Sequence, residues 1–318
     1  MTFNLNEIWH NKETSWIETV DITKPNKEDV LVKSIYSLIS LGTEKTLLTH
    51  NLSATVAQQM TVPYMKGSLT DTFTYGYSAV GKVIEGNSLW VGKNVHLMHP
   101  HQDYMIVSDS DLVEIPKEIN LKSATLASNI ETAVNAIWDA EVSLGDKVLI
   151  IGYGLIGGLI ATIINKMIGV KVEVLEVDED RQKLHISHGI PSESLNAYDV
   201  VFNTTSNESA LQQALLKTRQ EGRIIELSWY GNRETALKLG AEFHYGRKQI
   251  ISSQVSQIPY KKQPIWTYAK RKQLVFDILA SVDFNHLLTN EIDFRETPKF
   301  YNQLRKNKIK NLSTIICY

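Results

Sequence analysis

The run Lys147-Val-Leu-Ile-Ile-Gly152-Tyr-Gly154-Leu-Ile-Gly157-Gly158, with Glu176 beyond it, constrains this chain more than any other stretch. It reads as a buried strand, a glycine turn, a helix start and a second strand that ends in a carboxylate. Each glycine has a physical reason. Gly152 permits a tight turn, Gly154 lets backbone approach a pyrophosphate, and Gly157 lets the helix lie close to the strand. The helix opening at Leu155 and Ile156 offers N–H groups and a positive dipole end to phosphate oxygens. Glu176 follows Gly157 by 19 residues, the distance at which an acid meets the adenine ribose hydroxyls. The competing reading is a glycine-rich strand–helix turn without a ligand. The strand before, the apolar helix after and the acid at this distance favour dinucleotide binding.

Charge bears on which dinucleotide. Glu176, Asp178, Glu179 and Asp180 crowd the end of the second strand, and Arg181 alone opposes them. A 2′-phosphate meets repulsion there, so NAD(H) is expected over NADP(H). Arg181 is read as a ribose-hydroxyl partner or a surface charge.

The 318 residues suggest two domains, each able to bury its own core. A net charge of −2 argues against an electrostatic nucleic-acid footprint. The lysine groups at Lys261-Lys262 and from Lys306 to Lys310 read as solvated faces. A single cysteine, Cys317, leaves no internal disulfide and no multi-thiolate metal cluster. In Met1-Thr-Phe-Asn-Leu-Asn no basic stretch leads into an apolar core, so no export signal is expected. The longest apolar run, Leu155 to Ile168, is interrupted by Asn165 and Lys166 and is too short for a membrane span. The expected setting is therefore the cytoplasm, with no membrane and no nucleic-acid partner.

Before residue 120 the pattern is mostly one of short strands and turns: Val30 to Tyr36, Ala79 to Glu85 and Tyr104 to Val107, punctuated by Gly81, Gly86 and Gly92. A helix is predicted from Leu121 to Glu141. From Lys147 strands and helices alternate, with strands at 147–151, 171–176, 199–203, 223–228 and 249–253 and helices near 155–167, 179–188 and 207–219. This alternation predicts an α/β fold with a parallel sheet covered on both faces. Thr204, in the loop after the third of these strands, and Ser228, ending the fourth, fall at the carboxyl edge where ligands bind. A further helix is expected around Trp266 to Leu279 and a strand from Leu312 to Cys317. No internal repeat stands out.

A β-rich first part, a central dinucleotide fold and a C-terminal return resemble the medium-chain dehydrogenase/reductase superfamily over nearly the entire chain. The resemblance implies a doubly wound Rossmann sheet at 130–254 and a GroES-like catalytic domain from 1–129 and 255–318. Ser37-Leu-Ile-Ser40-Leu-Gly-Thr43-Glu44 is similar to the segment that supplies the first catalytic zinc ligand in zinc-dependent members. Gly76-Tyr77-Ser78-Ala79-Val80-Gly81 is similar to the segment supplying the second, and Ser128 falls where the third sits. Zinc prefers thiolate, imidazole or carboxylate, yet these positions hold Ser40, Tyr77 and Ser128. A cysteine-rich structural-zinc lobe is also absent, so no metal is expected. Together with His99-Pro-His101-Gln102-Asp103, the run from Asn129 to Asp139, Ser228-Trp229-Tyr230-Gly231 and Phe243-His244, these features resemble a zinc-lacking subgroup akin to bacteriochlorophyllide a dehydrogenase. That likeness does not carry a tetrapyrrole substrate with it.

Hydride transfer to a carbonyl leaves negative charge on oxygen, and without zinc a side chain must stabilise or protonate it. Tyr77 stands at a ligand position and can donate its hydroxyl, or it can fill the space as a packed aromatic. His99 and His101 are two apart and share a face if extended, so one can relay a proton, or the pair marks a structural loop. A His96-x-x-His99-x-His101 metal site is the weakest reading, because His96 points to the other strand face. By the resemblance Thr43 matches a hydroxyl of the alcohol proton relay, with Glu44 supporting it. The alternative makes Thr43 a helix N-cap. Glu131 reads as a nicotinamide-ribose contact or a helix cap, and Thr132 matches a residue lining the nicotinamide face. Trp229 and Tyr230 can flank the nicotinamide or form an interface pair, and His244 reads as structural.

The expected protein is a zinc-independent NAD(H)-dependent oxidoreductase that interconverts a secondary alcohol and a ketone in an interdomain cleft. Tyr77, Thr43, His101 and Glu44 are its catalytic candidates. Gly152, Gly154, Leu155, Ile156, Gly157, Glu176, Arg181, Thr132, Thr204 and Ser228 are its cofactor set. The alternatives are a zinc-free enone or quinone reductase and a non-catalytic dinucleotide-binding protein. The partner is a small-molecule substrate. A homodimer through an edge strand near Ile250 to Val255 is also expected.

Overall fold

The computed structural model describes residues 3–22 and 29–318. Met1 and Thr2, part of the stretch read for an export signal, lie outside the described residues. The chain forms two compact units, Met1–Ser128 with Leu288–Tyr318, and Asn129–Leu287.

The second unit contains a five-stranded sheet in the order Lys171–Leu175, Lys147–Ile151, Tyr198–Asn203, Thr218–Glu226, Gln249–Ser252. All of its pairings are parallel. Strand Lys147–Ile151 buries every residue after Lys147, as a strand with both faces covered must. The next strand in sequence lies on one side of it and the third on the other. The chain therefore reverses its direction of travel at Lys147–Ile151, and in such sheets ligands bind outside the carboxyl ends at that point. Helix Leu155–Ile164 follows directly and buries eight of its ten residues. It stops short of the predicted 167: Asn165 is its C-cap, and Ile168, beyond it, is exposed.

The first unit is built on sheets. Strands Ser15–Ile22, Phe3–His10 and Phe73–Thr74 form one. The larger sheet runs Glu291–Asp293, Thr314–Cys317, Asp29–Ile39, Ala79–Glu85, Asn94–Leu97, Val113–Glu114, with Tyr104–Ser108 also paired to Asp29–Ile39. Val30, Val32, Ala79, Val83, Val95, Leu97, Met105 and Val107 make its core. The C-terminal strand pairs antiparallel with Asp29–Ile39, placing Ile316 opposite Ser37.

Several expectations need correction. The chain returns to the first unit at Leu288, not near 255. The reason is a buried polar tie within the second unit: Arg271, on helix Tyr268–Ser281, donates to Glu131 and Asn135 of helix Ala127–Ala140 and to the carbonyl of Val255. The helix predicted from 121 to 141 is two, Leu121–Ala124 and Ala127–Ala140. The strand-rich first part also contains helices Leu41–Thr49 and Ala54–Gln59, the second N-capped by the Ser53 side chain. His99 and His101 lie in a loop, not a strand, so the shared-face argument does not apply to them.

Candidate active site

In the second unit the glycine turn has the geometry its sequence calls for. Gly152 takes φ +94°, a left-handed conformation natural to glycine. A Cβ on Gly157 would stand 2.0 Å from the Gly152 carbonyl oxygen, so only glycine lets the helix close on the turn. A Cβ on Gly154 would meet nothing within 4 Å, which leaves open space where a phosphate would approach. The first helical bond is Gly158 N–H to Gly154 O at 2.8 Å. The N–H groups of Leu155, Ile156 and Gly157 thus precede the helical ladder and suit an anion.

Glu176 ties this turn to the end of the second strand. Its Oε2 accepts the Tyr153 N–H at 2.6 Å, and its Oε1 accepts those of Val177 and Asp178 at 2.7 and 3.0 Å. A carboxylate offers about four acceptor positions, so one remains for a ribose hydroxyl. Thr204 donates its hydroxyl to the carbonyls of Ile151 and Gly152, both at 3.0 Å, and braces the turn from the third strand. Ser228 Oγ accepts the Ser206 N–H at 2.9 Å and links the loops after the third and fourth strands. Arg181 sits in the first turn of helix Glu179–Ser187, whose N-cap is Asp178, and Thr132 is half-buried on helix Ala127–Ala140.

The sequence reading passed over Glu226, at the carboxyl edge of the fourth strand. Its Oε2 accepts from Asn203 Nδ2 at 2.7 Å and its Oε1 from the Ser228 N–H at 2.7 Å. Burial pushes its carboxyl above the usual range against those bonds. Tyr230 also points its hydroxyl at Glu226, 3.4 Å away, so it belongs to this bracing.

In the first unit Glu44, His101 and their neighbours form a buried polar chain. Ser40 is the N-cap residue of helix Leu41–Thr49, without a side-chain cap bond. Thr43 therefore lies inside the helix, and the N-cap reading of Thr43 is corrected. Glu44 bends back: its Oε1 accepts the Ser40 N–H at 2.8 Å and its Oε2 accepts the Tyr301 hydroxyl at 2.6 Å. His101 Nε2 stands 3.4 Å from Glu44 Oε1, and its Nδ1 is 2.7 Å from Ser37 Oγ. Ser37 Oγ is 2.8 Å from the Tyr318 hydroxyl. Ser37, Glu44 and His101 are each no more than 2% exposed. Gly76 makes room for His101: a Cβ there would lie 3.0 Å from the ring. Burial next to Glu44 raises the Tyr301 hydroxyl well above its ordinary value, and burial raises that of Tyr318.

The other candidates separate from this chain. Tyr77 is half-buried and packs edge-on against Tyr75, with ring centroids 6.1 Å apart. Thr43 is half-buried beside Glu44 in sequence. His99 stacks on Tyr64 at 5.0 Å and bonds the Pro100 carbonyl through Nδ1. Burial lowers its imidazole to about 4, so it is neutral at pH 7. His96 Nε2 faces Ser78 Oγ at 3.1 Å. Glu131 is neither a cap nor free for a ribose, since Arg271 and Lys272 both hold it. His244 is exposed on the short helix Glu242–Tyr245.

The three zinc-ligand positions do not fit a zinc ion. Ser128 Oγ donates to the Tyr77 carbonyl at 2.8 Å, Ser40 serves as a helix cap residue, and Tyr77 packs as an aromatic. Neutral hydroxyls are poor zinc donors beside thiolate, imidazole or carboxylate. Among the described residues no group of three or more His, Cys, Asp or Glu is arranged to hold a metal.

Ser37 lay within a segment singled out in the sequence, but nothing marked it. Tyr301 and His10 gave no sequence signal either. Tyr301 is 257 positions from Glu44, and His10, 4.5 Å from the Tyr301 ring, comes from the first strand.

No protein-family model matches the chain. Among curated proteins it is 26% identical to D-guloside 3-dehydrogenase of Escherichia coli K12 over 73% of each chain. Among solved structures it is similar to L-idonate 5-dehydrogenase of E. coli, with a TM-score of 0.80, 15% identity and coverage of 100% of this chain and 99% of that one. An E. coli alcohol dehydrogenase in complex with NADH has a TM-score of 0.77 at 15% identity, covering 99% of both chains. A putative zinc-binding dehydrogenase of Sinorhizobium meliloti bound to NADP also reaches 0.77, at 12% identity, covering 99% of this chain and 100% of that one. The fold is that of the alcohol dehydrogenase-like structures, a Rossmann sheet and a separate β-rich domain.

Proposed function

We propose that this protein is a zinc-independent, NAD(H)-dependent oxidoreductase that interconverts a secondary alcohol and a ketone, within the zinc-lacking subgroup that its sequence resembles. The observation that carries the reading is the turn from Gly152 to Gly157: open at Gly154, closed at Gly157, at the carboxyl edge of a parallel sheet and braced by Glu176. Bound there, the nicotinamide dinucleotide supplies the hydride acceptor or donor. The acids Glu176, Asp178, Glu179 and Asp180 disfavour a 2′-phosphate and support NAD(H).

The first unit supplies the oxygen-side groups. Tyr77 donates its hydroxyl to the oxygen on which negative charge develops, and Thr43 carries the alcohol proton. Glu44 and His101 support them from the interior. Ser40, Tyr77 and Ser128 support zinc independence, because their hydroxyls are poor donors for that ion. The names of the relatives, D-guloside 3-dehydrogenase and L-idonate 5-dehydrogenase, point the substrate search toward sugars and polyols. A homodimer through the edge strand Gln249–Ser252 is part of the same proposal, and a monomer by light scattering would exclude it.

The test is a fluorescence titration with NADH and NADPH, metal analysis of the protein as purified, and a screen of sugars, polyols and ketones. Tight NADH binding, sub-stoichiometric zinc and turnover of a secondary alcohol are expected. Preference for NADPH refutes the charge argument, and stoichiometric zinc refutes metal independence. Cofactor binding without any turnover would favour a non-catalytic dinucleotide-binding protein.

A further inference from the structure

One row of paired residues crosses the carboxyl end of the sheet in the second unit: Leu175, Ile151, Asn203, Glu226 and Ser252. The glycine turn begins directly after Ile151. Glu176, directly after Leu175, marks the side on which the adenine ribose is held. A dinucleotide lies across the point where strand order reverses. With its adenosine beside Glu176 and its pyrophosphate at Gly154, the nicotinamide half falls on the other side, over the ends of the third and fourth strands. Glu226 stands two strand spacings, roughly 10 Å, from Ile151 on that nicotinamide side.

Glu226 is built into this edge as an anchored charge. It is half-buried, and the Asn203 side-chain amide and the Ser228 N–H, both at 2.7 Å, can only donate to it. Asn203 is itself fully buried. Tyr230 adds its hydroxyl at 3.4 Å, and burial pushes that hydroxyl up to about 12, so it stays neutral. All of these partners are neutral, and no ion pair among them cancels the charge of Glu226. A carboxylate taken partly out of water without a counter-ion is unfavourable, and a cation arriving at the carboxyl edge offsets that. The other charges on this side are placed differently. Arg233 is exposed, donates to the carbonyls of Tyr230 and Ser206, and lies 5.6 Å from the Tyr230 ring centroid, so water and salt damp its charge. Asp139 is bound by Ser253, just past the next strand, and by Asn135.

We propose that Glu226 sets the preference of this protein between oxidised and reduced cofactor, its carboxylate favouring the positively charged nicotinamide of NAD+ over the neutral ring of NADH. This rests on the dinucleotide reading above and on the second unit alone. Two unit charges about 10 Å apart, at the effective dielectric constant of about 20 that suits protein sites, alter binding roughly tenfold, or about 1.4 kcal/mol. Adenosine and pyrophosphate contacts are common to both cofactor forms and cancel in the comparison. A preference of this sign loads the oxidised form and releases the reduced one, which suits alcohol oxidation.

Calorimetric titrations of the full-length protein at pH 8 with NAD+, NADH and ADP-ribose, which lacks the nicotinamide ring, test this without turnover. Glu226→Gln should weaken NAD+ roughly tenfold and leave the Kd values of NADH and ADP-ribose near those of the wild type. Glu226→Asp, which keeps the charge, should hold the ratio of NAD+ to NADH affinity closer to wild type than Glu226→Gln does. Where Glu226→Gln does not fold by circular dichroism, a change of pH replaces it. Burial raises the Glu226 carboxyl, so lowering the pH from 8 toward 5 should move the ratio toward NADH. Burial raises Asp139 as well, so this series is run in an Asp139→Asn background; Glu176 serves the adenosine half and cancels in the ratio. A ratio unmoved by Glu226→Gln, or by pH, overturns the proposal while leaving the dinucleotide reading intact. Equal weakening of all three ligands overturns it too, since Glu226 would then only brace the loop. A wild-type protein that binds none of the three overturns the dinucleotide reading and the proposal with it.

Discussion

Gly154→Ala and Gly157→Ala are the same chemical change three residues apart, and the structure predicts opposite consequences for them. At Gly157 the new methyl would lie 2.0 Å from the Gly152 carbonyl oxygen and 2.9 Å from Thr204 Oγ1. Ordinary contact begins near 3.4 Å, so more than an ångström must be found, and the nearest atom is backbone. Overpacking typically costs about 1–3 kcal/mol, and this clash belongs at or above the top of that range. For a folding unit of this size that is a fall in Tm of roughly 6–12 °C. At Gly154 the methyl enters open space, and the residue has the extended dihedrals φ −75° and ψ −174° that alanine tolerates. Replacing a glycine N-cap by alanine costs about 1 kcal/mol or less, a fall of only a few degrees. The same methyl stands where the pyrophosphate should approach, and losing close charge-assisted contacts of about 1.5–3 kcal/mol weakens binding roughly 10- to 100-fold. Thermal melts by circular dichroism and NADH titrations by fluorescence separate the two effects. A Gly154→Ala protein that binds NADH as tightly as wild type would refute the assignment of the turn to phosphate. A Gly157→Ala protein with unchanged Tm would refute the packing argument.

Further outcomes follow from the same structure. His99 is buried with its imidazole lowered from 6.5 to about 4, so its stabilising effect is full above pH 6.5 and is lost as pH falls toward 4. That is a loss of roughly 3 kcal/mol, and urea melts between pH 7 and 4 should show His99→Gln losing less stability on acidification than wild type. Glu131→Gln leaves Arg271 and Lys272 without their carboxylate, and the unit should lose about 3–5 kcal/mol. NADH affinity, measured well below the melt, should hold; a selective loss of affinity would return Glu131 to the nicotinamide ribose. Thr204→Val removes both hydroxyl bonds under the glycine turn, and should cost about 1 kcal/mol in denaturant melts with a modest rise in the NADH Kd.

Local patterning determined much of this protein. Strand Lys147–Ile151, the turn at Gly152 and helix Leu155–Ile164 were legible because four apolar residues, a left-handed glycine and a helix start follow one another in the chain. The strands expected near 171, 199 and 249 followed from the same alternation of strand and helix patterns. The argument against zinc at Ser40, Tyr77 and Ser128 could be made from the sequence, because hydroxyls are poor donors for that ion whatever their geometry.

Tertiary structure decided what those residues do. Glu131 looked like a cofactor contact until helix Tyr268–Ser281 brought Arg271 and Lys272 onto it, and that same tie moved the return to the first unit from 255 to 288. His99 and His101 read as one pair, yet one stacks on Tyr64 and the other bridges Ser37 and Glu44. Ser37, His101, Tyr301 and Tyr318 converge on one buried chain from four separate parts of the sequence. Spacing along a strand or helix encodes only neighbours a few residues away. The direction of a buried hydrogen bond depends on which side chains fold in from elsewhere.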